Sequence, residues 1–180
     1  MNPLSEPLRE RLNWATDRGA IADGPRRYLM MRPDVLMGAV AQLAPTAQQA
    51  WLDAWAGSTR AHGAASLHAY ADAVGGDPDA LLAATTEAAA DLGWGRWTLR
   101  REPGGLALDL AHSPFVAGWR EVDPGPALHP VCAPVRGMLG ALAALVLRGP
   151  VSVTEFDCAA RHAAPDRLDH LCRFHAREVA

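Results

Sequence analysis

Apolar positions in the first half of the chain recur mostly three and four residues apart, as they do on one face of a helix. In residues 4–18 the shared stripe carries Leu4, Leu8, Leu12 and Ala15. This spacing predicts a short amphipathic helix, which a glycine and several turn-forming residues then end.

The rest of this half is predicted to be helical apart from one short strand. The strand is the run RYLMM at residues 27–31. Pro33 fits the first turn of the next helix, because its missing N–H is harmless there. Helices are expected at residues 33–44 and 46–63, and the helical pattern continues through residues 66–75 and 77–93.

The hydrophobic period changes to two after residue 95. Residues 96–102 and 106–112 alternate apolar and polar positions around a Pro-Gly-Gly turn, which predicts a β-hairpin. A loop, a helix and two strands are expected next, at residues 113–129, 130–147, 151–157 and 171–179. The pattern predicts an α+β fold, with a helical first half packed on an antiparallel sheet, in one domain spanning residues 1–180.

The composition argues against nucleic-acid-binding, secreted and membrane-spanning proteins. The 180 residues carry a formal net charge of −3, so the chain lacks the basic balance typical of nucleic-acid-binding proteins. The first residues lack the basic start and apolar run of a signal peptide, and no uncharged apolar stretch reaches the ~18 residues that a membrane span needs. We therefore expect a soluble cytoplasmic protein whose three cysteines stay reduced.

Three cysteines and one glutamate stand near the ends of predicted elements in the second half. Cys132 lies in the first turn of a helix, where the helix N-terminus favours a thiolate. Glu155 and Cys158 are three residues apart at a strand end, and Cys172 begins the last strand. These side chains suit a closed, tetrahedral zinc site. Three unrelated core cysteines would give the same pattern, because free cysteine is among the most often buried residues.

The same part of the chain resembles a known family. The segments HPVCAPVRGMLGALAALVLRGPVSVTEFDCAAR and HLCRFH are similar to the C-terminal half of the vinyl-4-reductase domain family, and the match is best over residues 130–176. Members of this family show a cysteine that opens a helix with two close glycines, here Gly137 and Gly140. A pV-x-V-x-E-x-x-C strand and a C-x-F strand follow. The family includes a component of bacteriochlorophyll vinyl reduction, archaeal hydrocarbon-binding proteins and the sensor domains of aromatic-responsive activators, and its fold is related to TRAPP subunits.

The resemblance implies a metal site with defined ligands. In the aromatic-sensing relatives a zinc ion is held by Cys, Glu, Cys and Cys in this order, which places the ligands on Cys132, Glu155, Cys158 and Cys172. The interval between the last two cysteines is longer here than is usual in the family. The extra residues either form a loop that leaves the site intact or allow His162 or His170 to replace one ligand.

The resemblance also implies a hydrophobic cavity and a homodimer that pairs through helices. The predicted hairpin and the residues beside it supply the candidate ligand contacts, which are Trp97, Leu108, Leu110, His112 and Trp119. Phenol sensors of this family use a histidine on the helix before the hairpin, and the corresponding stretch ALLAATTEAAADLG contains none. This favours a larger or more apolar ligand than phenol.

The favoured function is a stand-alone binding domain for a hydrophobic or aromatic small molecule, with a structural zinc site. The sequence contains no phosphate-binding glycine loop, no GxSxG and no HExxH motif, so catalysis is not expected. Two alternatives stay open, because a fold alone does not decide function. One is a component of a vinyl reductase that acts on a tetrapyrrole, and the other is a TRAPP-like scaffold for protein–protein contacts.

Overall fold

The computed structural model describes residues 6–163 and 171–179. Its helices are α1 (Leu8–Arg11), α2 (Pro33–Ala41), α3 (Pro45–Ala73), α4 (Pro78–Asp91), α5 (Pro114–Val122) and α6 (Ala133–Leu147). Its strands are β1 (Asn13–Ala15), β2 (Ala20–Asp23), β3 (Arg26–Tyr28), β4 (Arg96–Glu102), β5 (Gly105–Ala111), β6 (Val151–Asp157) and β7 (Cys172–Glu178). The α+β class is confirmed.

Four strands of the second half form an antiparallel sheet in the order β4–β5–β7–β6. The predicted hairpin is confirmed, with Gly104 at a positive φ of 65° in its turn. Trp97 pairs with Leu110, and Leu108 pairs with Phe174, so the buried positions of neighbouring strands share one face. This alternation builds the sheet side of the core.

Helix α6 lies between this sheet and α3, and glycine allows the two helices to come close. A Cβ atom at Gly137 would overlap the backbone carbonyl oxygen of Ala56 in α3. Helix α3 is one continuous helix from Pro45 to Ala73, so the two helical patterns predicted there belong to a single element. Its close contact with α6 fixes the helical layer over the sheet.

The helix predicted at residues 4–18 is wrong over most of its described length. Within the described residues only α1 is helical there, and β1, β2 and β3 follow as a three-stranded antiparallel sheet, called the small sheet below. Its register aligns Trp14 with Ile21 and Ile21 with Tyr28, so three large side chains form one row across the strands. The apolar spacing of residues 4–18 imitates a helix, but glycine turns and this cross-strand row favour strands. The predicted strand at residues 27–31 overlaps β3 but extends beyond its end.

The loop predicted at residues 113–129 is also wrong, because much of this segment is helical. Residues Pro114–Val122 form α5. Ser113 caps this helix by accepting a hydrogen bond from the backbone N–H of Val116, and Pro114 occupies a first-turn position. Serine followed by proline is a helix-start signal, and it outweighs the loop-like composition of the segment.

None of the helices in the described ranges combines the length and the apolar content that crossing a bilayer requires.

Candidate metal centre and ligand cleft

The four candidate ligands converge at one end of the large sheet. Cys132 is the residue before α6, Glu155 is in β6, Cys158 directly follows β6, and Cys172 begins β7. Their ligand atoms all lie within 4.8 Å of one another, and we call this group the Cys3Glu cluster. The fold therefore brings together side chains from three separate segments.

A bulge in β6 explains how two residues three positions apart reach the same cluster. In a regular strand, positions separated by three face opposite sides of the sheet. The pairing of β6 with β7 shifts register between Glu155 and Asp157. The extra residue in between, Phe156, is exposed, whereas Glu155 and Cys158 are both buried. The bulge thus redirects the end of the strand towards the cluster.

The distances within the Cys3Glu cluster fit a tetrahedral metal ion. The Cys132 Sγ–Cys172 Sγ distance is 3.5 Å, and the Cys172 Sγ–Cys158 Sγ distance is 4.0 Å. Zinc–sulfur bonds of about 2.3 Å at tetrahedral angles place two sulfurs about 3.8 Å apart. The three cysteines are free, and their sulfurs are much farther apart than the ~2 Å of a disulfide.

The electrostatics of the cluster also fit a bound cation. Burial raises the pKa of Glu155 to about 10, and its Oε1 atom has no hydrogen-bond partner among the described residues. Burial also raises the pKa of Cys132. Hydrogen bonds from Cys132 and Cys158 lower the pKa of Cys172 to about 5, and the backbone N–H of Ala159 points at the same sulfur from 3.3 Å. A divalent cation would supply the partner that the buried carboxyl oxygen lacks.

Of the two histidines that could replace a ligand, His162 pairs with an aspartate outside the Cys3Glu cluster. His162 Nε2 lies 2.7 Å from Asp157 Oδ1, and this pair is exposed outside the Cys3Glu cluster. His170 lies outside the described residues. The residues that the fold brings together are the Cys, Glu, Cys and Cys that the resemblance implies.

A neighbouring hydroxyl extends the cluster, and sequence reasoning missed it. Ser113 Oγ lies 3.1 Å from Cys132 Sγ, and Ser113 is buried. Ser113 also caps α5 through Val116, as described above. The Ser-Pro helix start at residues 113–114 is the only local signal that points to this residue.

The five residues predicted to contact a ligand divide into two groups. Trp97, Leu108, Leu110 and Trp119 are buried and belong to the packed core. His112 is exposed at the turn between β5 and α5, with a positive φ of 55°. The fold therefore places four of the five side chains together and leaves the histidine at the surface.

The structure also contains an apolar cleft of about 280 Å³ between the small sheet and the helices, called the cleft below. Tyr28 and the other large side chains of the small sheet form one wall. The opposite wall includes Trp55, Trp94 and Phe115. Phe115 contacts both tryptophans edge-on, with ring centroids 5.4 Å from Trp55 and 6.0 Å from Trp94. These rings make an aromatic surface that is open to the solvent on one side.

None of the five predicted ligand contacts lines the cleft, but one of them, Trp97, is hydrogen-bonded to this wall from the core. Its indole N–H donates a hydrogen bond of 3.2 Å to the backbone carbonyl of Trp94. Asp91 is the charged residue of the lining, and its carboxylate accepts hydrogen bonds from the backbone N–H and the guanidinium of Arg9. Burial alone would raise the pKa of Asp91, but the bonds from Arg9 hold it below its usual value. Because Arg9 already neutralises the charge of Asp91, a ligand in the cleft does not need a positive charge.

Comparisons with known proteins place this geometry on a known fold. A search of solved structures matches the phenol-responsive sensory domain of the transcription activator PoxR, crystallised with phenol. The match has a TM-score of 0.77 at 18% identity and covers 98% of this chain and 88% of that chain. The chain has the fold of that sensory domain. The fold that the resemblance to aromatic-sensing relatives implies is therefore confirmed.

A vinyl-4-reductase family protein from Methanocaldococcus jannaschii also matches, with a TM-score of 0.42 at 11% identity over 85% of this chain and 98% of that one. No family model and no curated protein matches the sequence.

Proposed function

We propose that this chain binds an apolar, aromatic small molecule and carries a structural zinc ion. The observation that carries the proposal is the aromatic wall formed by Trp55, Trp94 and Phe115 in an open cleft. The shared fold with a domain that responds to phenol supports the same class of ligand. A ligand that loses about 200 Å² of apolar surface to this wall would gain about 5 kcal/mol before the costs of association.

The preferred ligand is larger or more apolar than phenol. Helix α4, which precedes the hairpin, contains no histidine that could bind a phenolic hydroxyl. The nearby charge of Asp91 is already paired with Arg9. Aromatic rings and aliphatic side chains dominate the remaining lining. A neutral compound with more than one ring suits such a surface best.

The predicted core positions remain candidate ligand contacts. The indole N–H of Trp119 is buried without a hydrogen-bond partner among the described residues, so it can donate to a polar atom of a ligand or to a water molecule. Trp97 supports the wall of the cleft through Trp94. Leu108 and Leu110 pack beside Trp97 on the same face of the sheet. A ligand that enters the core would have to displace these side chains.

The zinc ion in this proposal has a structural role. Cys132, Glu155, Cys158 and Cys172 would hold it, and a site with four protein ligands has no open position for substrate. When bound, the ion supplies the positive charge that lets four buried ligands ionise together. The chain's own residues hold the sulfurs in place, and they can do so only while the three segments that carry them stay folded.

A ligand screen tests the binding proposal. Thermal shift and tryptophan fluorescence would be measured with aromatic, polycyclic and tetrapyrrole compounds. We expect Trp94→Ala to weaken binding at least about tenfold, because it removes one ring of the wall. Trp51→Ala is the matched control, since Trp51 is exposed on α3 and does not line the cleft. An equal loss in both variants, or no response to any compound, would contradict the proposal.

The same screen separates the alternative functions. Chemical turnover of a tetrapyrrole would favour the vinyl-reductase component. Absence of all ligand responses in a folded protein would favour the scaffold. A larger effect of Trp97→Ala than of Trp94→Ala, at equal stability, would place the ligand in the core rather than in the cleft.

We also propose that the chain forms a homodimer. Leu29 and Met30 are 80% and 71% exposed, and they directly follow β3, an edge strand of the small sheet, at the margin of the cleft that they also line. An exposed apolar run next to an unpaired strand edge is a surface that proteins usually cover. A second copy of the chain would cover it with closed two-fold symmetry.

A further inference from the structure

We propose that α5 couples the Cys3Glu cluster to the cleft, and that Ser113 is the positioning residue at the start of this helix. The inference rests on the proposed function, because it assumes that the cluster holds zinc and that the cleft holds a ligand. It concerns the regulation of that site: metal occupancy would set the shape of the ligand cleft.

The first contact lies at the start of α5. Ser113 Oγ is 3.1 Å from Cys132 Sγ and accepts a hydrogen bond of 3.3 Å from the N–H of Val116. A serine hydroxyl has one proton to donate and two lone pairs to accept with. A metal-bound sulfur has no proton, so the hydroxyl must donate to it and keep its lone pairs for the helix N–H. The metal ligand and the first turn of α5 are thus joined through one buried atom.

The second contact lies in the last turn of α5. The Arg120 guanidinium donates a hydrogen bond of 3.0 Å to the carbonyl oxygen of Ala159, in the short 3₁₀ turn that follows Cys158. The N–H of Ala159 points at Cys172 Sγ from 3.3 Å. The helix is therefore tied at both ends to groups that contact the candidate metal ligands.

The other side of α5 shapes the cleft. Phe115 is buried and holds the edge-on contacts with Trp55 and Trp94. Gly118 lies so close to α2 that a Cβ atom there would overlap the carbonyl group of Pro33, which also lines the cleft. A shift of α5 therefore moves Phe115 in the lining of the cleft and presses on the backbone of Pro33, another lining residue.

These contacts predict reciprocal coupling between metal and ligand. If zinc improves ligand binding by some factor, the ligand must improve zinc binding by the same factor. Hydrogen-bond partners of metal ligands typically change metal affinity by about 10–100-fold. Coupling between two sites typically changes affinity by about 5–150-fold, so we expect zinc to tighten ligand binding about tenfold, and loss of the Ser113 hydroxyl to remove most of that effect.

The experiment uses N-phenyl-1-naphthylamine, a neutral aromatic fluorophore, as the probe. Its dissociation constant would be measured with zinc-loaded and zinc-depleted protein, and the dissociation constant of zinc would be measured with a competing chelator. The variants are Ser113→Ala and Ser113→Thr. The matched control is Thr85→Ala, which removes another buried hydroxyl whose hydrogen bond goes to the Leu81 carbonyl within α4.

Zinc should tighten probe binding about tenfold in the wild type, in Thr85→Ala and in Ser113→Thr, which restores a hydroxyl. In Ser113→Ala the factor should fall below about threefold, and zinc should bind about tenfold more weakly. An equal tightening by zinc in Ser113→Ala and the wild type would overturn the role of Ser113. No tightening by zinc in a wild type that binds the probe would overturn the coupling. Failure of the zinc-loaded wild type to bind the probe would overturn both the cleft and the coupling.

A second measurement covers the case in which the zinc-depleted protein unfolds. Cobalt(II) would replace zinc, and its absorption bands, which report the geometry of the ligand sulfurs, would be recorded with and without the probe. The probe should shift the bands in the wild type and leave them unchanged in Ser113→Ala. Unchanged bands in a wild-type protein that binds the probe would overturn the coupling.

Discussion

Replacement of Glu155 by glutamine should change the number of protons that zinc releases. At pH 7 the carboxyl group, with a pKa of about 10, holds its proton in the metal-free protein. Cys132 and Cys158 also hold protons, because the pKa of each thiol is raised, whereas Cys172 is ionised at a pKa of about 5. Zinc requires ionised ligands, so it should displace about three protons from the wild type and about two from Glu155→Gln.

The proton count also sets the pH dependence of zinc binding. For each proton that zinc displaces, the dissociation constant of zinc falls about tenfold when the pH rises by one unit. The reason is that fewer protons then compete with the metal. Near neutral pH the dissociation constant of the wild type should therefore fall about 1000-fold per pH unit, and that of Glu155→Gln about 100-fold. The variant should also bind zinc about 100-fold more weakly at pH 7, since an amide oxygen carries no charge. Its metal-free stability should stay within about 1 kcal/mol of the wild type, because glutamine has nearly the shape of a protonated glutamate.

Calorimetric titration in buffers of different ionisation enthalpy measures the protons released. Asp157→Asn is the matched control, because Asp157 follows Glu155 by two residues but pairs with surface groups outside the cluster. The control should release as many protons as the wild type. The same proton count in the wild type and Glu155→Gln would refute the assignment of Glu155 as a ligand that ionises on binding.

Three further outcomes are expected. Gly137→Ala should lower the free energy of unfolding by about 3 kcal/mol in chemical denaturation, because the added methyl group overlaps the Ala56 carbonyl, whereas Gly57→Ala, with open space around it, should raise it by up to about 1 kcal/mol. Cys158→Ser should lose stoichiometric zinc by metal analysis and unfold at a lower temperature, and full zinc retention would contradict the site. Light scattering at tens of micromolar should give the mass of a dimer, and a monomer mass would reject the homodimer.

Local sequence patterns predict the hairpin of the large sheet, and the family resemblance rather than spacing selects the four residues of the Cys3Glu cluster. Residues 96–112 alternate regularly around a glycine turn, so pairing and face follow from the pattern. The candidate ligands lie next to element ends, and Cys132 and Cys172 belong to motifs of a few residues each. Spacing alone leaves ordinary core cysteines equally open, and the bulge after Glu155, which turns Cys158 towards the cluster, is visible only in the structure.

The cleft and the small sheet are much harder to derive from sequence. The rings of the aromatic wall come from distant segments, at Trp55, Trp94 and Phe115. Their spacing along the chain does not predict that they contact one another. In the small sheet, the turn between β1 and β2 brings Trp14 opposite Ile21, and the strands are too short to show a repeating alternation of apolar and polar residues. Tertiary pairing of this kind overrides the local helical spacing, so residues 4–18 are predicted wrongly.

The position of β7 inside the large sheet has a consequence for synthesis on the ribosome. β5 and β6 do not pair with each other, and both pair with β7, which follows them in sequence. Until that strand leaves the exit tunnel, the nascent chain holds two strands with open edges, and the Cys3Glu cluster lacks Cys172. Edges of this kind are templates for unwanted pairing with other chains. β7 thus completes both the sheet and the Cys3Glu cluster in one step, and a ribosome that stalls before Cys172 would leave a chain with neither complete.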